Sequence, residues 1–195
     1  NIIIIFILLW SSQLFSQNSW RSLIIPGLGE YKLGEYNQSK KFMIAEVSIW
    51  LCYFNFGDFS SSYKNDFRNN AIMYAGVNWD NKDDRFAANV GNYNSIYEYN
   101  QYQDWAGNFG NHYENENGEY HWDWNNNDEQ RNKYDSWRIK SANYKEFQEF
   151  AVAALIVNRL ISVFNIINLE RNNKITSDII KDGNHSVMLK INYNF

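Results

Sequence analysis

FAVAALIVNRLISVFNIINL, residues 150–169, is broken only lightly, at Asn158, Arg159, Asn165 and Asn168. An ordinary surface helix carries a polar face, and a run that is apolar nearly all round is buried or touches lipid. A second run of the same kind, KFMIAEVSIWLCYFNF, covers residues 41–56 and is interrupted by Glu46, Ser48 and Asn55. The two predict a pair of apolar helices packed antiparallel, either as a soluble core or inside a membrane.

The remaining periodicities supply amphipathic helices around this pair. Gly57-Asp58 reads as a stop and a new cap, after which Phe59, Tyr63, Phe67, Ala71 and Tyr74 recur at helical spacing. Asp83-Asp84 starts a third helix with Phe86, Val90, Tyr93 and Tyr97 on one side, and acids at its start suit the helix dipole. Asn127 with Gln130 resembles a capping box, and Tyr134, Trp137, Ser141, Tyr144, Phe147 and Ala151 carry the pattern into the apolar run, with a break near Ser141 as the alternative to one continuous helix. Residues 100–127 show no clear period and read as an irregular aromatic loop. In the tail, Val187, Leu189, Ile191, Tyr193 and Phe195 alternate with polar or flexible residues, and Asp182-Gly183 supplies a turn. The expected fold class is mainly α, a helical bundle or hairpin with a short C-terminal β-hairpin. Its expected segments are a leader over 1–17, a helical domain over 18–172 and the hairpin over 173–195.

The leader rests on NIIIIFILLWSSQLFSQ, residues 1–17, where an apolar stretch gives way to small and polar residues. That is the middle and end of a secretory signal peptide, and it is short for a span of ~20 apolar residues. The expected mature start is near Gln17 or Asn18, and the expected location is exported, periplasmic or membrane-associated. A single cysteine, Cys52, cannot close an intramolecular disulfide and sits in an apolar run, where a thiol behaves as a small hydrophobe.

A formal net charge of −4 without a clustered Lys/Arg face argues against a nucleic-acid partner. The stretch SLIIPGLGEYKLGEY, residues 22–36, spaces Gly27, Gly29 and Gly34 two positions off a dinucleotide fingerprint, and it lacks the Lys-Ser/Thr of a phosphate loop. No nucleotide is expected there. Pro26, Gly27, Gly29 and Gly34 are expected instead to form a structural turn that brings the chain onto the helix at 41–56.

That stretch, continued as SLIIPGLGEYKLGEYNQSKK, resembles the Ser-Leu-hydrophobic-Pro-Gly-x-Gly-Gln-x-Tyr opening of an uncharacterised bacterial cell-envelope family of unknown function with an N-terminal signal peptide. WDWNNNDEQRNKYDSWRIKS and VNRLISVFN resemble the same family's Trp-x-Trp, Tyr-x-x-x-Arg-x-x-Ser and Asn-Arg-Leu-Ile-Ser segments. Glu30 stands where that family tends to have Gln. The resemblance implies an envelope location and a mainly helical fold, and it carries no catalytic activity with it.

No nucleophile elbow or His-Glu-x-x-His is present, and the Asp123, Asn125, Asn127 spacing fails a calcium loop at its sixth and twelfth places. The expectation is a non-enzymatic structural or assembly component without a cofactor or bound metal, partnered by a membrane or an envelope protein. Glu46 and Arg159, with Asn158 beside it, lie inside the two apolar runs, where an isolated charge is costly, so they form a candidate interhelix polar pair. The alternative function is a glycan or peptidoglycan module using residues 97–124, with Trp105, Tyr120, Trp122 and Trp124 as the stacking surface.

Overall fold

The computed structural model describes residues 16–114, 118–181 and 187–193, and these are mainly α-helical. The expected leader falls almost wholly on residues 1–15, outside the described residues, as do the turn of the expected hairpin, 182–186, and Phe195.

Six helices occur among the described residues: α1 (Gln17–Ile24), α2 (Leu28–Lys32), α3 (Tyr36–Ala75), α4 (Asp84–Asn92), α5 (Ile96–Trp105) and α6 (Asp128–Lys174). A 3₁₀ turn, Phe109–Asn111, follows α5. Side-chain caps open most of them: Ser16 accepts from the Ser19 N–H, Asp83 from Phe86, Ser95 from Glu98 and Asn127 from Gln130. The Gln130 side chain does not complete the box expected at α6. Its Oε1 accepts from Asn70 Nδ2 at 2.8 Å, so the residue ties α6 to α3.

The break expected at Gly57-Asp58 is absent, and of the two alternatives at Ser141 the continuous helix is the one observed. α3 runs straight through Gly57-Asp58, because glycine weakens a helix by only ~1 kcal/mol. The glycine admits a neighbour: a Cβ at Gly57 would lie 2.6 Å from Gln148 Nε2. α6 likewise passes Ser141, which is buried against α3 by reciprocal bonds, Ser60 Oγ donating to Ser141 O and Ser141 Oγ to Ser60 O, each at 2.9 Å. The expected third helix is instead divided at Tyr93, where extended backbone separates α4 from α5.

By its internal contacts the chain divides into two compact units, one of residues 1–51 and 151–195 and the other of Cys52–Phe150. The second unit has an aromatic core of Phe67, Phe86, Tyr99, Trp122, Trp124 and Tyr134, filled out by Ala71, Val77, Val90 and Ile96. Two of their ring contacts are edge to face, Phe67 on Tyr134 at 5.3 Å and Phe86 on Trp122 at 5.5 Å, an arrangement aromatic quadrupoles favour. Each polar tip finds a carbonyl: Trp122 Nε1 donates to Tyr93 O, Trp124 Nε1 to Val90 O and Tyr134 Oη to Ala87 O. Burial pushes the Tyr134 phenol far above its ordinary range, so it stays a donor.

Trp122 and Trp124 reach this core from the segment read as an irregular loop. An extended stretch bridges Ser95 to Asp123, with the Asp123 N–H on Ala75 O and the Trp124 N–H on Asn94 O. Backbone pairing thus replaces the missing periodicity.

Candidate functional site

The first unit reverses the usual arrangement of polar and apolar groups. Its opening turn shows how. α1 ends at Ile25, Pro26 is buried, and the chain turns at Gly27 with φ +92°, a left-handed conformation that a side chain strains. A Cβ on Gly27 would lie 2.6 Å from the Ser39 carbonyl of α3, and one on Gly29 2.6 Å from the Asn18 carbonyl of α1. Gly34 also has positive φ, +85°, with open space around it, so only its backbone conformation requires glycine.

Backbone brought so close is bonded through two serines to one carboxylate. The Gly27 N–H donates to Ser162 Oγ at 3.0 Å and the Gly29 N–H to Ser22 Oγ at 2.9 Å. In turn Ser22 donates to Glu30 Oε2 at 2.9 Å, and Ser162 bridges both carboxylate oxygens at 2.9 and 3.0 Å. Asn165 Nδ2 adds a bond to Oε1 at 3.1 Å and another to Gln38 Oε1 at 2.7 Å. Glu30 is 0% exposed, and all of these partners are neutral donors. Both glycine N–H groups that a phosphate would use therefore already donate to serine.

Farther along the same helices lies a second polar group. Arg159 Nη2 sits 2.5 Å from Glu46 Oε1, and its Nη1 donates to the Leu155 carbonyl at 3.0 Å. Asn158 Nδ2 donates to Glu46 Oε2 at 3.0 Å and to Phe42 O at 3.3 Å. The structure thus brings Glu46, Asn158 and Arg159 together, and their order along α3 and α6 is antiparallel.

Outside this polar interior the surface is apolar. Ile44, Val47 and Leu51 on α3, and Val152, Ile156, Val157, Leu160, Ile161 and Phe164 on α6, are each 44–67% exposed. Ser19, Ser22, Glu30, Ser39, Asn158 and Ser162 are buried. Exposed apolar side chains thus surround an interior that holds these polar groups beside the buried Leu155, Val163 and Ile166.

The residues of the expected stacking surface do not form one. Trp122 and Trp124 are 0% exposed in the core of the second unit, while Trp105 is 84% exposed and apart from them. Tyr120 stacks on Tyr113 at 4.9 Å, and the Lys82 ammonium sits 3.9 Å from its ring centre. The faces a sugar would use are therefore taken up by other protein groups. Beside them a cleft of about 500 Å³ is lined by both signs of charge, Lys82, Arg85, Asp83, Glu114 and Glu119. No group of three or more His, Cys, Asp and Glu side chains that could hold a metal occurs among the described residues.

Sequence reasoning named Glu46, Asn158, Arg159 and the turn glycines but passed over Ser22, Ser162 and Asn165 as partners of Glu30. The signal was present: Asn158, Ser162 and Asn165 fall at helical spacing, one polar stripe along an otherwise apolar helix. No known family model matches the chain, and no curated protein or solved structure is similar to it.

Gly27→Val is expected to lower stability by about 1–3 kcal/mol through backbone strain, with the Ser39 clash adding to it. Gly34→Val, which meets strain alone, is expected to cost less. Chemical denaturation of the purified variants compares them. Equal stability of Gly27→Val and the parent would remove the turn from this account.

Proposed function

We propose that the first unit is seated in a lipid bilayer, and that the protein is a non-enzymatic cell-envelope component with a structural or assembly role. The observation that carries this is the inversion: outward apolar side chains around a fully hydrogen-bonded polar interior. In hydrocarbon a polar group must be satisfied within the protein, whereas an exposed leucine or phenylalanine is stabilised by lipid. α6 is the one helix among the described residues long and apolar enough to cross a membrane, and only 33% of its apolar window is buried. The run at 41–56 is shorter than ~20 residues and carries Glu46 at its middle, so it is read as lying beside α6 within the unit.

The same proposal covers export by a leader at 1–17, membership of the envelope family that the opening stretch resembles, and an envelope-protein partner. Two of the segments that resemble that family's pattern meet in the first unit: Ser22, Gly27 and Gly29, with Glu30 where that pattern has Gln, from the opening stretch, and Asn158, Arg159 and Ser162 from the Asn-Arg-Leu-Ile-Ser stretch. Shared motifs of this kind hold the unit together and require no catalytic explanation. The tail is read as a β-hairpin, supported by antiparallel pairing of Ile175–Lys181 with Val187–Tyr193 in which Ile175 stands opposite Tyr193.

Expression in a bacterial host followed by fractionation and an alkaline carbonate wash tests the bilayer reading. The protein is expected in the washed membrane pellet. Quantitative release by carbonate would overturn the reading, because only peripheral attachment is lost in that way.

A further inference from the structure

We propose that the end of the first unit formed by α1, α2 and the start of α3 docks against anionic phospholipid headgroups. This rests on the bilayer reading above and adds which lipid the unit selects. Hydrogen bonds place the relevant elements together: Asn165 donates to Gln38 at 2.7 Å and Asn18 to Glu170 at 3.0 Å. The start of α3, the two short helices and the last turns of α6 therefore share one end of the unit.

Cations gather at that end. Lys32, Lys40, Lys41 and Arg171 are exposed there and Arg21 is partly so. The stretches 42–51 and 151–169 contain Glu46 and Arg159 as their only charged residues, and these two are paired. The acids at the same end are largely occupied. Glu30 is buried under its serines, and Glu170 is bound by Asn18, which leaves Glu35 as the exposed acid. Tyr31 and Tyr36 are about half exposed beside the lysines, and their rings pack edge to face at 5.2 Å. Aromatic rings with a polar tip, interleaved with lysine next to an apolar surface, match the headgroup layer of a bilayer. The whole chain carries −4, so an attraction to anionic lipid must come from a local patch such as this one.

Purified full-length chain, diluted from detergent onto phosphatidylcholine vesicles with or without 30% phosphatidylglycerol, provides the test by flotation. Uptake is expected to rise on the anionic vesicles and to fall back with added salt. Lys32→Gln/Lys40→Gln/Lys41→Gln should lose roughly ten- to a hundredfold of the anionic preference at low salt, while still entering neutral vesicles. A control with equal charge change on exposed lysines of the second unit, Lys133→Gln/Lys140→Gln/Lys145→Gln, should keep the preference. Equal parental uptake on both vesicle types, or an equal loss in the control, would overturn this proposal and leave the bilayer reading standing. Failure of the parent to enter either vesicle would overturn both.

Discussion

Replacing Arg159 with methionine is expected to destabilise the first unit by about 3 kcal/mol, the range measured when one partner of a buried ion pair is removed. Its side chain is 25% exposed and that of Glu46 13%, so neither reaches water freely. The variant leaves the Glu46 carboxylate with two neutral donors, Asn158 Nδ2 at 3.0 Å and Trp50 Nε1 at 3.2 Å. Glu46→Gln alone should cost less, because an amide oxygen still accepts from Asn158. The double variant, Glu46→Gln with Arg159→Met, should lose markedly less than the sum, since no uncompensated charge remains. Equilibrium unfolding in detergent measures all four corners of the cycle, and strictly additive losses would show two independent charges.

An effect of similar size is expected in the second unit. Trp124→Ala removes a side chain that is 0% exposed, packs on Tyr134 at 5.3 Å and donates to Val90 O at 2.7 Å. Loss of the transferred area, the cavity left behind and the orphaned carbonyl together cost ~3–5 kcal/mol. Trp105→Ala should change stability by no more than ~0.5 kcal/mol, because that ring is 84% exposed. Thermal unfolding followed by circular dichroism separates the two. Similar shifts from both would place the aromatic core elsewhere.

This contrast also shows where the sequence was legible. Helical spacing identified α3, α4 and α6 because apolar positions at three- and four-residue intervals reflect a physical face. It gave no signal at Trp122 and Trp124. Trp122 and Trp124 are held by backbone bonds to Ile96 and Asn94, and Asp123 between them by one to Ala75, all distant in sequence and leaving no local period. Gly57-Asp58 was misleading because glycine's usual role as a stop signal concealed its use here, admitting Gln148. The charged pair was legible because a lone Glu and a lone Arg are conspicuous in apolar runs. Ser22 and Ser162 were not, since a serine in a helix is unremarkable until the carboxylate beside it is known.

On the reading proposed above, the outer face of the first unit meets lipid rather than water. Site-directed spin labelling in vesicles tests it most directly, with Cys52→Ala as background and single labels at Ile156→Cys, Leu160→Cys and Phe164→Cys, all exposed apolar positions of α6. A label at Lys145→Cys, exposed in the second unit, supplies the aqueous reference. Strong relaxation of the three α6 labels by oxygen, which concentrates in hydrocarbon, is expected, with little by a water-soluble nickel chelate. Nickel relaxation at Ile156, Leu160 and Phe164 equal to that at Lys145 would contradict it.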